Sequence, residues 1–500
     1  MEPAMLTPLT FPEGFVKAKT LLHFGAVDQE ATVWLNGKQV AQHMGGYTAF
    51  SADVSSAITD GVNELVVRVH DDTDASWHSR GKQKTERGGI WYTPQSGIWQ
   101  TVWMESIPEG GVKDVVIKTD FDAHSVQITV LSDVSLTGTL TVEDREIPFT
   151  ANQPTDVALL VFRPWSPEKP SLYNVDIRLG EDRIQTYFAM RKSEIRTDEH
   201  GVKRLFLNNK PYFHNGLLDQ GYWPDGLYTP PTDDAMIFDI QTAKDLGYNM
   251  LRKHIKIEPM RWYHHCDRIG MLVWQDMVSG GGEYRFWTIS TPLVTGIHKK
   301  DSDYLRFSRS AEQGRAEYMA ELDETVSQLK NVPSIVLWVP FNEGWGQFDA
   351  AKACKRILEL DPTRPIDHAS GWHDQKIGDI KSLHVYFKPY KFKADKLGRA
   401  VVLSEFGGYN HRMEGHCFNE IDFGYKKFPT TEALWEAYLG LYEREILPAI
   451  PQGLSATVYT QLTDVEDELN GILTYDRREL KLPKAGLCDL NRRVNTAGGN

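Results

Sequence analysis

Ile335-Val-Leu-Trp-Val339 is an unbroken apolar run that opens through Pro340-Phe341 onto Asn342-Glu343. A strand apolar at every position is buried on both faces, which marks a parallel sheet covered by helices. Two further runs of this kind are Met271-Leu-Val-Trp274 and Val401-Val-Leu403. Helical stretches stand between them, Arg315 to Leu329 and Phe348 to Leu360. Upstream, Asp233 to Leu246 puts Met236, Ile237, Ile240, Ala243 and Leu246 on one helical face, with Thr232 as N-cap and Gly247 just past the end. Strand and helix alternating over roughly 300 residues suit a (β/α)8 barrel. Val278 to Ser310, rich in Gly and aromatics, is too long for an ordinary connection and is expected to cap one barrel end.

Upstream of Thr197 the texture is different. Ala31-Thr-Val-Trp-Leu35 and Lys38-Gln-Val-Ala41 flank Asn36-Gly37, a strong hairpin signal. Val126, Ile128 and Val130 alternate with polar residues, as do Tyr173, Val175, Ile177 and Leu179. A period of two means half-buried antiparallel strands. Breaks at Pro108-Glu-Gly-Gly111 and Trp165-Ser-Pro-Glu-Lys-Pro170 suggest two β-sandwiches in series. The expected domains are 1–108, a β-sandwich, 109–193, a second one, and 194–500, the barrel.

Composition removes several function classes. The chain has 55 Lys and Arg against 68 Asp and Glu, a net charge of −13, which argues against a nucleic-acid partner. With 41% hydrophobic and 25% charged residues it is a globular chain, and it has no apolar run long enough to span a membrane. Four dispersed cysteines, with no CxxC pair, speak against a disulfide scaffold or a thiolate zinc site. The aromatic excess, 14 Trp, 20 Tyr and 21 Phe, suits sugar stacking but equally suits a core. Met1 to Lys17 shows no signal-peptide pattern. A cytoplasmic location is therefore expected, with a trimmed secreted or periplasmic protein as the alternative.

The chemistry collects at the strand ends. Leu251 runs into Arg252-Lys-His254, Trp274 into Gln275-Asp276, Val339 towards Asn342-Glu343, and Leu403 into Ser404-Glu405, while Leu383 adjoins His384 and Tyr386. Barrel active sites form at the C-terminal ends of the strands, so these residues are expected to converge. Two glutamates on different strands provide what glycoside hydrolysis requires, one protonated and one ionised.

Asn331-Val-Pro-Ser-Ile-Val-Leu-Trp-Val-Pro-Phe-Asn-Glu-Gly-Trp-Gly346 resembles the acid/base segment of glycoside hydrolase family 2, and Val402-Leu-Ser-Glu-Phe-Gly407 resembles its nucleophile strand. Gly247-Tyr-Asn-Met-Leu-Arg252 and Cys266-Asp-Arg-Ile-Gly-Met-Leu-Val-Trp274 resemble its second and third barrel strands. Leu22-His-Phe-Gly-Ala-Val-Asp28, Trp34-Leu-Asn-Gly37, Gly45-Gly-Tyr47 and Ser96-Gly-Ile-Trp99 resemble its N-terminal sugar-binding sandwich, here short of its first strands. Trp165 to Tyr173 resembles the end of its immunoglobulin-like domain. The resemblance implies a jelly-roll-like sugar-binding domain, an immunoglobulin-like domain and a TIM barrel.

The same resemblance implies roles. Glu343 is the general acid/base and Glu405 the nucleophile of a retaining exo-β-glycosidase. Asn342 reads the sugar 2-hydroxyl, Arg252 favours ionised Glu405, and Tyr386 contacts the nucleophile. Glu343 is expected to be pushed up by burial beside Trp338 or Trp345 and by the charge of Glu405. Further sugar contacts are expected from His384, Asp219, Trp345, Trp372 and His254, with Gln220 and Trp223 as weaker candidates. His254 lies one position earlier than the family's Arg-x-x-His spacing. Before Gly471, where β-glucuronidases of the family carry Asn-x-Lys, this chain has Glu468 and Asn470. A carboxylate repels a carboxylate, so a neutral β-hexoside, most simply a β-D-galactoside, is expected, with β-glucuronide or β-mannoside as alternatives. No cofactor and no metal ligand set is implied, and an incidental magnesium or sodium ion is compatible with the reading. The expected partner is a carbohydrate, with neither nucleic acid nor membrane. A homo-oligomer is allowed.

Two readings from other classes compete. A metal-dependent barrel hydrolase usually gathers ligands through a His-x-His on the first strand. The segment Phe206 to Gln220 has only His214. A non-catalytic glycan-binding protein needs no glutamate pair, yet both glutamates are present.

Overall fold

The computed structural model describes residues 4–500, and the chain divides into two compact units. One takes the chain up to Asp72, then Ser96–Arg191 and Gln328–Pro333. The other takes Thr73–Gln95, Lys192–Ser327 and Ser334–Asn500.

The first unit holds two antiparallel sandwiches. In the first, a sheet of Ala4–Leu9, Asn63–His70, Glu30–Leu35 and Lys38–Met44 accompanies a sheet of Phe50–Asp53, Lys19–Phe24 and Val102–Ile107. Asn36 and Gly37 both have positive φ, 52° and 75°, as the two-residue hairpin turn requires. Inward residues such as Leu22, Phe24, Val33, Leu35 and Val67 form its core. The second sandwich pairs a three-stranded sheet with a four-stranded one. In its strand Tyr173–Leu179 the burial alternates, and Tyr173, Val175, Ile177 and Leu179 point into a core shared with Val126, Ile128 and Val130. Each such fully buried aliphatic side chain contributes about 1.5–3 kcal/mol.

The second unit is a curled parallel sheet. Its strands are β1 (His214–Asp219), β2 (Met250–Lys253), β3 (Leu272–Asp276), β4 (Ile335–Val339), β5 (Ile380–Val385), β6 (Ala400–Gly407) and β7 (Leu454–Thr460). They lie in the order β4-β3-β2-β1-β7-β6-β5. Every residue of β1, β2, β3, β4, β6 and β7 is buried, the physical counterpart of the unbroken apolar runs.

The eighth barrel position is thinner than the sequence implies. Between β4 and β5 the chain makes a single parallel bridge, Trp338 with Ile366, fixed by Asp367 N–H to the Trp338 carbonyl at 2.9 Å. Ser382 of β5 completes that side by donating to the Asp367 carboxylate at 2.7 Å.

Helices α1 (Asp233–Asp245), α2 (Met260–Ile269), α3 (Phe286–Thr295), α4 (Glu312–Leu329), α5 (Ala350–Leu360), α6 (Thr431–Leu441) and α7 (Lys484–Ala497) fill the connections. The Thr232 hydroxyl caps α1 by accepting from Ala235 N–H, and Gly247 follows its end at φ 89°. Neither 368–379 nor 386–399 forms a helix. The first stretch puts Ser370, Gly371, His373, Lys376 and Gly378 at positive φ, which no helix tolerates. Among the described residues no helix is long and apolar enough to cross a membrane. The four cysteines are free.

Thr73–Gln95 belongs with the barrel, although its sequence neighbours belong to the first sandwich. His78 pairs with Glu317 at 2.7 Å, and Arg80 donates to the carbonyls of Gly281 and Gly282. Arg87 pairs with Asp467 at 2.8 Å, and Thr93 N–H donates to Glu466 at 3.0 Å. The Val278–Ser310 segment beside it contains α3, which the sequence pattern did not indicate.

Candidate active site

Glu343 sits four residues past β4 in the left-handed region, at φ 54°, an uncommon conformation for a residue with a side chain. Its N–H donates to the Ser370 carbonyl at 2.9 Å, which holds the turn. The glycines on its far side make the turn possible. A Cβ on Gly344 would lie 2.6 Å from the His373 ring, and one on Gly346 would lie 2.0 Å from the Gly280 carbonyl oxygen.

The Glu343 carboxyl is 7% exposed as a residue and has two fixed neighbours. Its Oε1 lies 2.7 Å from His384 Nδ1, and its Oε2 accepts from Trp345 Nε1 at 3.1 Å. Burial pushes this carboxyl up, but the hydrogen bond and charge of His384, with the charge of Lys82 and the hydrogen bond of Trp345, together outweigh burial, and it sits below the usual glutamate value. The expectation of a raised Glu343 is therefore corrected for the ligand-free protein. The main reason is His384, which the sequence did not place as the partner of Glu343.

Glu405, on β6, is 4% exposed. Its Oε1 accepts from Arg252 Nη1 at 3.1 Å and its Oε2 from the Tyr386 hydroxyl at 2.5 Å. His384 Nδ1 is 3.5 Å from the same Oε2, so one imidazole nitrogen faces both carboxylates. Its other nitrogen meets Ser370 Oγ at 3.1 Å. Burial and the charge of Glu405 raise the Tyr386 phenol well above its usual value, so it stays protonated and donates.

Arg252 is fully buried. It donates to both oxygens of Asp276 at 3.0 and 2.9 Å, to the Ser404 carbonyl, to Glu405 and to Asn342 Oδ1 at 2.8 Å. Burial alone would lower the guanidinium, but the charges of Asp276 and Glu405 hold it above its ordinary value. This bond fixes the amide of Asn342. Its Nδ2 is then left buried with no hydrogen-bond partner among the described residues. A buried unpaired donor is costly in a free protein and is what a ligand oxygen satisfies.

The other candidates separate. His254 Nδ1 lies 2.7 Å from Asp276 Oδ2, in the ion network behind Glu405, and burial drives its pKa well down. The Trp372 ring stands 6.4 Å from the His384 ring. Asp219 is engaged elsewhere: it accepts from Lys253 Nζ at 2.7 Å and Gly221 N–H at 2.9 Å, in a buried cluster with Glu258. The Trp223 ring is covered by the Arg477 guanidinium at 4.1 Å. His214 accepts from Trp274 Nε1 at 2.9 Å, and burial lowers it to about 3.

Gln220, Glu468 and Asn470, named from the sequence, are joined in one chain of side chains, to which Gln461, Tyr92 and Lys82 are added without a signal in the sequence. Gln220 donates to Gln461, Gln461 to Asn470 and Asn470 to Glu468, at 2.9, 2.8 and 2.9 Å. The Tyr92 hydroxyl donates to the other oxygen of Glu468. Burial raises Glu468 against the opposing pull of Tyr92 and Lys82. Lys82 is 6% exposed, and its charge acts on Glu343, Glu468 and His254. Its carbonyl accepts from Tyr92 N–H at 3.0 Å, and its ammonium stands 5.6 Å from the Trp91 ring centre. Tyr425 stacks on Tyr386 at 4.0 Å. A lysine and a tyrosine in the range of a sandwich domain carry no local signal that they serve a barrel.

Among the described residues, Glu343, His384 and Glu405 are the one group able to hold a metal ion, with ligand atoms within 4.8 Å of one another. The Arg252 guanidinium, fixed 3.1 Å from Glu405, opposes a second cation there.

Three models of one family match the chain: the sugar binding domain of glycosyl hydrolases family 2 over residues 6–108, glycosyl hydrolases family 2 over 111–191, and its TIM barrel domain over 202–404. Together they take in more than three quarters of the chain. A beta-galactosidase of Streptococcus thermophilus is 25% identical over 82% of this chain and 40% of its own length. A putative beta-glucuronidase of Formosa agariphila is 25% identical over 72% of this chain and 33% of its own length. The chain thus spans well under half of these relatives. Among solved structures, a beta-D-glucuronidase from Dictyoglomus thermophilum superposes with a TM-score of 0.74 at 17% identity, over 98% of this chain and 89% of that one. A family 2 beta-galacturonidase from Eisenbergiella tayi gives 0.68 at 20% identity, over 98% and 88%. These establish the sandwich-sandwich-barrel fold, and the three family matches establish more: the chain belongs to glycosyl hydrolase family 2.

Proposed function

We propose that the protein is a retaining exo-β-glycosidase that removes a terminal neutral sugar, most simply a β-D-galactoside. The observation that carries this reading is the pair of buried carboxylates, Glu343 and Glu405, with oxygens within 4.8 Å of each other. Retaining enzymes hold the two groups about 5–5.5 Å apart, whereas an inverting site needs about 6.5–9.5 Å to admit water between them.

The unlike surroundings of the two carboxyls support the division of labour. Arg252 and Tyr386 present only donors to Glu405, which favours an ionised nucleophile. Glu405 attacks the anomeric carbon as the bond to the leaving oxygen breaks, and Glu343 gives its proton to that oxygen. Water then attacks the same carbon, its proton passes to Glu343, and the bond to Glu405 breaks. Asn342 Nδ2 supplies the donor for a sugar hydroxyl beside the reacting carbon. No cofactor takes part.

Glu468 favours a neutral sugar, because a buried carboxylate accepts from hydroxyls and repels a uronate. A β-uronide is the second reading, favoured by the buried ammonium of Lys82, whose charge reaches Glu343 and Glu468. A panel of nitrophenyl β-D-galactoside, glucuronide, mannoside and glucoside, with α-L-arabinopyranoside, separates the two. Fastest turnover of the glucuronide replaces the first reading by the second. Turnover of none refutes both. Proton NMR of the first product tests the stereochemistry, and an α-product from a β-glycoside excludes retention.

A further inference from the structure

We propose that the aromatic cleft formed by Trp91, Tyr284 and Trp345 is the subsite for the leaving group, and that its occupant is one sugar residue. This rests on the glycosidase reading above. In that reaction the nucleophile attacks from one side of the anomeric carbon and the acid serves the oxygen departing on the other. The group bordering the acid on the side away from the nucleophile therefore borders the leaving group. Glu343 Oε1 faces His384, which also faces Glu405, whereas its Oε2 faces Trp345 Nε1 at 3.1 Å. Trp345 is thus the wall on the departing side.

That wall continues outward. The Trp345 ring meets the Trp91 ring at 5.2 Å and 86°, and the Tyr284 ring at 5.1 Å and 62°. Trp91 and Tyr284 lie nearly parallel, 24° apart, with centroids at 5.6 Å. Trp345 is nearly buried, while Trp91 and Tyr284 are half-buried, with Lys82 5.6 Å from the Trp91 ring centre. The cleft has a volume of about 270 Å³. Pockets for drug-sized ligands run from about 300 Å³ upward, so this one takes a single ring rather than an extended chain.

The lining decides what kind of ring. Asp74, Lys84 and Glu283 line the cleft together with the three rings, so charges of both signs stand beside apolar aromatic walls. A pyranose matches this mixture, with C–H bonds against the rings and hydroxyls towards the charged groups. A plain aryl group leaves the charged groups unsatisfied. The walls are also built to keep their shape. Arg80 lies 4.5 Å from the Tyr284 ring centre and donates to the carbonyls of Gly281 and Gly282, which ties the Trp91 segment to the Tyr284 segment. A subsite held in place before binding loses little to ordering.

The test compares two substrates that share the sugar selected by the nitrophenyl panel. One is its β-glycosyl fluoride, whose leaving group has nothing to stack. The other is the best-cleaved of its β-linked disaccharides with glucose. In Trp91→Ala the ratio of disaccharide to fluoride kcat/KM should fall about tenfold, the scale of one aromatic stacking contact with its buried area. It should recover in Trp91→Phe, and Tyr284→Ala should lower it in the same direction. An unchanged ratio overturns the proposal, whether both substrates slow equally or neither does. So does a wild-type protein that cleaves the fluoride and no disaccharide. A wild-type protein that leaves every β-glycosyl fluoride intact refutes the glycosidase reading instead, and the subsite falls with it.

Discussion

Nδ1 of His384 lies 2.7 Å from Oε1 of Glu343, which makes the imidazole the main reason the Glu343 carboxyl sits low despite its burial. Removing it in His384→Asn leaves burial, which acts upward. The acid should then keep its proton to higher pH, so the basic limb of the bell-shaped kcat/KM profile should move up. A basic limb that moves down in this variant would falsify the assignment of His384.

The two glutamates should fail in different ways. Glu405→Ala should abolish turnover with any leaving group, a loss on the order of 10⁴-fold or more. Glu343→Ala should still be glycosylated by a dinitrophenyl glycoside and then stall. Azide, which needs no base, should restart it and yield the β-glycosyl azide. A fluorosugar inactivator should label Glu405, as read by mass spectrometry of the digested protein. Labelling of Glu343 reverses the roles.

Glu468→Gln keeps the shape of the amide chain and removes the charge. A hydrogen bond to a charged group contributes about 1.5–3 kcal/mol, so kcat/KM on the preferred neutral glycoside should fall about tenfold to a hundredfold. A variant that instead improves on neutral glycosides shows that Glu468 does not read the sugar.

Gly346→Ala should be destabilising rather than chemically selective. Its new Cβ would press on the Gly280 carbonyl oxygen at a φ of 65°. A loss of about 2–4 kcal/mol is expected, seen as a drop in Tm. A melting temperature equal to the parent's refutes the packing argument.

Dialysis against a chelator should leave turnover intact, since the Arg252 guanidinium already supplies the cation beside Glu405. Activity lost on chelation and restored by zinc would return the metal-dependent reading.

The strands that are apolar throughout were legible in the sequence, and so were the polar residues at their ends. Burial on both faces leaves no alternation, and β4 and β6 are read directly from Ile335–Val339 and Val401–Leu403. Glu343, Glu405, Arg252, Tyr386 and Asn342 were reached because a strand end is a local feature, and the structure brings all five together. Asp219 also ends a strand, but its carboxylate is engaged by Lys253, which sequence distance does not reveal. The residues around Ile366 pair with β4 at a single bridge, too short a pairing to leave an apolar run in the sequence. Lys82, Trp91 and Tyr92 were missed because only long-range packing brings them to the barrel.

The Thr73–Gln95 excursion makes order along the chain a poor guide to where this protein can be cut. A barrel produced from residue 194 onward would contain every strand-end residue and both glutamates. It would lack the Tyr92 hydroxyl that fills one oxygen of Glu468, and the Arg80 and Arg87 contacts that fasten the neighbouring loops. The barrel is therefore not portable. A fusion, swap or truncation that respects the sequence boundary near Pro108 severs a piece of the barrel. A circular permutant that opens the chain elsewhere but carries 73–95 along with the barrel keeps it whole.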